Sequence, residues 1–155
     1  MAVRPIPEGY SSITPFLIVK GAKKAIDFYK QAFGATELMR FDGPDGSIAH
    51  AELQLGDSRI MVSDEHPQMG FRGPQADGGT PVGLMLYVED VDRVFRRALA
   101  AGAKTQRELQ DQFYGDRSGT LIDPFGHCWT VATHVEDVSP DEMQRRMEAA
   151  TTAAK

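Results

Sequence analysis

The chain has one cysteine, Cys128, and one tryptophan, Trp129, among its 155 residues. A lone cysteine excludes an internal disulfide framework. No apolar run approaches the roughly 20 residues that cross a bilayer as a helix. Positive charge is scarce: 17 Lys and Arg stand against 22 Asp and Glu, a net charge of −5. That balance argues against a nucleic-acid or anionic-membrane partner. Met1-Ala2-Val3-Arg4-Pro5 has no apolar core of a secretory signal, so the expectation is a cytoplasmic protein. No glycine-rich phosphate loop is found, because the glycines fall at turns. What remains is an ordinary soluble composition, 41% hydrophobic and 25% charged.

Residues 1–12 read as an N-terminal extension. Ile13–Val19 is a short apolar strand with Pro15 near its start. Ala22, Ala25, Ile26, Tyr29 and Phe33 recur at helical spacing, and Gly34 ends that helix. Thr36–Phe41 and Ser47–Leu55 are strands joined by Gly43-Pro44-Asp45-Gly46. In the second, Ala49, Ala51, Leu53 and Leu55 are expected on one face. Ile48, His50, Glu52 and Gln54 take the other. Arg59–Ser63 closes a first module, residues 13–65. Residues 66–81, rich in Gly, Pro and Gln, are a linker or a lid.

A second module covers 82–138: a strand at Val82–Val88, a helix capped by Asp90 or Asp92, and a strand at Lys104–Phe113. Two last strands flank Asp123-Pro124-Phe125-Gly126. Ser139-Pro140-Asp141-Glu142 then starts a C-terminal helix through about Ala150 with a capping box, and 151–155 is expected to fray. The two halves repeat. Gly34-Ala35-Thr36 returns as Gly102-Ala103-Lys104, 68 residues on (102 − 34). The expected fold is therefore α+β: two βαβββ modules making a curved sheet with a cleft, where small ligands bind.

Ala25-Ile26-Asp27-Phe28-Tyr29, Phe33-Gly34-Ala35 and Asp123-Pro124-Phe125-Gly126-His127 resemble the vicinal oxygen chelate superfamily. That group includes glyoxalases, extradiol dioxygenases and bleomycin-resistance proteins. Ile13-Thr14-Pro15-Phe16-Leu17, His50-Ala51-Glu52-Leu53 and the run Asp111–Arg117 resemble its PhnB-like branch. The resemblance implies a homodimer. It also implies metal ligands on the first and last strands of each module. Those positions hold Thr14 or Pro15, Ile60 or Met61, about Gly83, and Thr130, none of them a good donor. No cofactor is expected on that count.

His50 and Glu52, two apart on one strand, share a face and are the candidate catalytic pair. If a divalent metal (Zn, Ni, Mn or Fe) binds, they would be its ligands, with Asp123 or Gln112 as third donor. The expected ligand-binding set is Thr14, Phe16, His50, Glu52, Met61, Phe113, Tyr114, Arg117 and Thr130. Arg117 would grip a planar anion or pair with Asp116. Cys128 reads as an inert thiol and Trp129 as core. His66, His127 and His134 have no zinc-motif spacing.

The leading expectation is a metal-free protein that buries a small organic ligand in the cleft between the two modules. The alternative is a glyoxalase-like lyase or isomerase using a displaced metal. A third reading makes the C-terminal helix, with Met143 and Met147, a docking surface.

Overall fold

The structure is a computed structural model that describes residues 2–153. Met1, Ala154 and Lys155, parts of the expected extension and fraying tail, lie outside the described residues.

The first sheet contains β1 (Phe16–Val19), β2 (Thr36–Asp42), β3 (Ile48–Leu55) and β4 (Ser58–Asp64), in the order β1-β4-β3-β2. The second contains β5 (Gly83–Tyr87), β6 (Lys104–Asp111), β7 (Asp116–Ile122) and β8 (Cys128–His134), in the order β5-β8-β7-β6. The same order in each half is the duplication the spacing predicted. The strands stay in two four-stranded sheets and do not join into one curved sheet within the chain. β1 starts at Phe16 because Pro15 has no N–H; its carbonyl accepts the Met61 N–H at 2.9 Å instead.

Helix α1 (Ala22–Phe33) begins at Gly21, which has no side chain to cap it. Asp64 at the end of β4 fills that role. Its Oδ1 accepts the N–H groups of Gly21 and Ala22 at 3.0 and 2.8 Å, and its Oδ2 accepts Ile48 N–H at 2.7 Å. Gly34, at φ 71°, closes the helix: its N–H and that of Ala35 bond to the carbonyls of Lys30 and Tyr29. Helix α2 is the single turn Pro74–Asp77. Helix α3 (Val91–Ala100) is capped by Asp90, whose side chain accepts Arg93 N–H at 3.1 Å. Thr133 of β8 stands where Asp64 stands in the first module; its Oγ1 accepts Val91 N–H at 2.9 Å.

The expected alternation of β3 holds only from His50 onward. Phe41 pairs with His50 but Asp42 pairs with Ile48, so Ala49 is bulged out of register. Ile48 is therefore buried and Ala49 exposed, the reverse of a regular strand. Beyond the bulge Ala51, Leu53 and Leu55 face the core, while His50, Glu52 and Gln54 face outward.

α1 and α3 pack on each other. Their apolar faces share one core with both sheets, containing Ile26, Tyr29, Leu53, Val62, Phe95, Leu121 and Val131. Trp129 is in that core, 4.7 Å from the Phe33 ring and 5.5 Å from the Tyr29 ring. Between the modules, residues 66–81 form a 3-10 turn (Pro67–Met69) and α2. The segment is tied down by Gly73 N–H to Glu65 and Gln75 to the Pro124 carbonyl.

Helix α4 (Pro140–Ala153) runs past its expected end. Ser139 Oγ accepts Glu142 N–H at 3.2 Å. The return half of the capping box does not form, because the Glu142 carboxylate is taken by Arg145 and Arg146. α4 buries no residue; Arg146 ties it to Glu136 and to the Phe113 carbonyl.

Gly119 of β7 is placed by close packing. A Cβ there would stand 2.7 Å from the Phe95 ring and 3.0 Å from the Arg107 carbonyl. Gly119→Ala is expected to lower unfolding free energy by about 1–3 kcal/mol, the usual cost of overpacking. Urea denaturation followed by Trp129 fluorescence measures it.

Candidate functional site

The outward face of the first sheet gathers much of the expected set. Phe16 on β1 and Glu52 on β3 both lie opposite Met61 on β4 in register, so the three sit side by side across the sheet. His50 lies two residues from Glu52 on the same face. Its Nε2 is 3.0 Å from Glu52 Oε2, and Phe16 stacks on its ring at 5.7 Å between centroids. The pair is largely covered, with side-chain exposures of 26% and 16%. Phe16 is 40% exposed and Phe41 57%, which leaves an apolar rim beside the polar pair. The result is a carboxylate–imidazole dyad set in aromatic and thioether surface. A bond from Nε2–H to Glu52 leaves Nδ1 as the acceptor nitrogen in the neutral ring.

The sequence reading missed Tyr10. Its hydroxyl donates to Glu52 Oε1, so both oxygens of that carboxylate are engaged. Arg59 lies over the Tyr10 ring, 4.8 Å from its centroid. The available signal was one aromatic in an otherwise aromatic-free extension, and periodicity says nothing about such a residue.

The other expected residues lie elsewhere. Thr14 lines a cavity of about 170 Å³ between the modules, with Ile60, Leu84 and Trp129. Thr130 is on the second sheet, its Oγ1 3.0 Å from that of Thr120. Phe113 and Tyr114 occupy the β6–β7 turn and meet edge to face at 5.2 Å. Arg117 is committed to the helix side. It holds Asp92 with two bonds of 2.9 Å and Asp111 with one of 3.3 Å, and it does not pair with Asp116. The Arg117 hydrogen bonds hold the Asp92 carboxyl below its ordinary value.

The sequence places Asp123 as a candidate third metal donor. It is buried, and its two oxygens accept four hydrogen bonds: Oδ1 from the Phe125 and His127 N–H groups, Oδ2 from Tyr29 OH and Trp129 Nε1–H. Burial, then the charge of Asp123, pushes the Tyr29 phenol well above its ordinary value. Gln112 belongs to the β6–β7 turn of the other sheet, where its backbone N–H bonds to the Asp116 carbonyl. Among the described residues no three His, Cys, Asp or Glu side chains stand together as a metal-holding group. His50 and Glu52 supply two donors. Cys128 Sγ rests 3.5 Å from Gln106, and burial pushes its thiol up, which keeps it protonated.

A second polar cluster lies at the end of the second sheet. Buried Asp116 accepts Tyr87 OH and bonds His134 Nδ1, each at 2.8 Å, and His134 Nε2 is 2.8 Å from Asp137. The hydrogen bond to Asp116, then that to Asp137, raises the His134 pKa.

The family model for the Glyoxalase/Bleomycin resistance protein/Dioxygenase superfamily matches residues 11–131, and the chain belongs to that superfamily. The uncharacterized protein Rv0887c of Mycobacterium tuberculosis is 46% identical over 141 residues, covering 89% of this chain and 83% of its own. TioX from Micromonospora sp. ML1 is a solved structure at 31% identity and TM-score 0.64, covering 81% of this chain and 99% of that one. A Bacillus cereus PhnB protein, described as a putative 3-demethylubiquinone-9 3-methyltransferase, shares the fold at 23% identity and TM-score 0.62. It covers 79% of this chain and 99% of its own. The fold is thus that of the superfamily. No helix among the described residues is long and apolar enough to cross a membrane.

The His134 cluster gives a pH prediction. A folded-state pKa above the roughly 6.5 of free imidazole stabilises the fold below that pH, and the stabilisation is lost as pH rises through the folded value. His134→Gln is expected to flatten this part of the stability–pH curve, with wild type and variant converging at higher pH. Urea melts across that window measure it, and NMR titration of His134 gives the pKa directly.

Proposed function

We propose that this protein binds a small organic ligand without a metal, on the outward face of the first sheet. The observation that carries the reading is the side-chain set. The positions where the resemblance implies metal ligands hold Thr14 or Pro15, Ile60 or Met61, Gly83 and Thr130, while His50 and Glu52 sit as a hydrogen-bonded pair among Phe16, Met61 and Phe41. Such a face offers a planar or apolar body an apolar surface and its polar group one oriented imidazole and carboxylate. His50 and Glu52 orient; Phe16 and Met61 bury.

A homodimer belongs to this reading. β1 and β5 are sheet edges, and Phe16, Met85 and Tyr87 are exposed on the two outward faces. A second copy laid across them would cover that apolar surface and bring Thr130, and the turn carrying Phe113 and Tyr114, toward the first-sheet group. A cytoplasmic setting, with one unpaired cysteine, completes it.

A metal-assisted lyase or isomerase is the competing reading, favoured only by the dyad's chemistry: a His held by a carboxylate is a serviceable base. Elemental analysis after incubation with Ni²⁺, Zn²⁺, Mn²⁺ and Fe²⁺ separates the two. The binding reading expects no stoichiometric metal, and thermal stabilisation by an organic ligand library that chelator leaves unchanged. Stoichiometric metal that disappears in His50→Ala, with turnover restored by that metal, would overturn it. Light scattering is expected to give a dimer, and Tyr87→Glu to shift it toward monomer.

A further inference from the structure

The N-terminal extension meets the candidate site through the Tyr10 side chain and the Glu8 carbonyl. From Ala2 to Ile13 every residue is exposed except Tyr10. A turn from Tyr10 N–H to the Pro7 carbonyl at 3.1 Å presents the ring. Its hydroxyl donates to Glu52, and Arg59 covers its face at 4.8 Å. Arg59 is itself positioned by Gln54 Oε1 at 3.0 Å and by the Glu8 carbonyl at 3.3 Å. These are the contacts a binding site makes to a phenol: an acceptor carboxylate for the hydroxyl and a guanidinium for the π face. Histidine and an aromatic ring stand beside it, with His50 sharing the carboxylate and Phe16 stacked on His50.

We infer that Tyr10 is an internal stand-in for the ligand, and that the site takes a phenolic ring when the extension swings away. The inference rests on the binding reading above and names its ligand class. The energetics suit an exchange. One half-covered side chain and one exposed carbonyl bond, with exposed chain on either side, leave at little cost, and nothing in the sheet's backbone need move. While seated, Tyr10 competes with any free phenol. Apparent affinity is the intrinsic affinity multiplied by the fraction of molecules whose site is open.

The test uses p-cresol, the free form of the tyrosine side chain, in calorimetric titrations of the full chain. Tyr10→Gly empties the subsite and is expected to bind p-cresol at least about tenfold more tightly than wild type. In the same variant toluene, which lacks the hydroxyl, is expected to bind at least about tenfold more weakly than p-cresol, as does p-cresol after Glu52→Gln is added. Circular dichroism checks that the variants are folded. Equal p-cresol affinity in wild type and Tyr10→Gly, or equal binding of toluene, overturns the inference. If Tyr10→Gly ignores p-cresol while the library still yields a chelator-insensitive ligand lost in His50→Ala, the phenolic class falls and the binding reading stands. If the library yields none either, both fall.

Discussion

Asp123 fixes the relation between the two modules. Its turn precedes β8, yet one of its oxygens holds Tyr29 of α1 as well as Trp129 of β8. A buried carboxylate stripped of water is tolerable only if such donors surround it. The requirement is therefore mutual: the turn needs the phenol from the first module, and the phenol needs the turn. Around that point Phe33, Tyr29 and Trp129 pack ring on ring, and α1 lies against α3. The helices are thus committed to the interior, and the opposite faces of both sheets are left outward. The outward face of the first sheet is where His50 and Glu52 stand.

The local chemistry follows from a small irregularity. The bulge at Ala49 turns β3 so that Ile48 is buried while His50 remains outward beside Glu52. Asp64 binds Ile48 N–H next to that bulge while capping α1. One carboxylate thus anchors both the helix start and the strand that presents the dyad. In the second module Thr133, a neutral hydroxyl, takes the place of Asp64, and Asp90 of the helix's own N-terminus supplies the carboxylate cap. Asp116, a buried carboxylate of that module, serves Tyr87 and His134. The duplicated framework carries different chemistry on its two outward faces.

The sequence made the architecture legible because duplication, glycine stops and helical stripes are local signals. Gly34 and Gly102 marked the repeat, and the stripe from Ala22 to Tyr29 gave the buried face of α1. His50 and Glu52 were legible as a pair because two residues on one strand share a face wherever the strand lies. Four things were not local. The bulge at Ala49 arises from pairing with β2. The fourfold demand on Asp123 comes partly from Tyr29, 94 residues away. Arg117 reads as a ligand grip beside Phe113 and Tyr114, but the helix side of β7 holds Asp92 of α3, a partner 25 residues away. Tyr10 escaped for the same reason: its partner is 42 residues along the chain.

The central claim is that the outward face of the first sheet, centred on His50 and Glu52, is the ligand site and works without a metal. The most direct measurement is an NMR titration in chelator with a mixed library of aromatic fragments, using protein labelled at the methionine methyls and histidine rings. The account predicts that Met61 and His50 shift first and together, while Met143 and Met147 of α4 stay still. Shifts that gather on α4 and leave Met61 and His50 unmoved, or that require added metal, would contradict it.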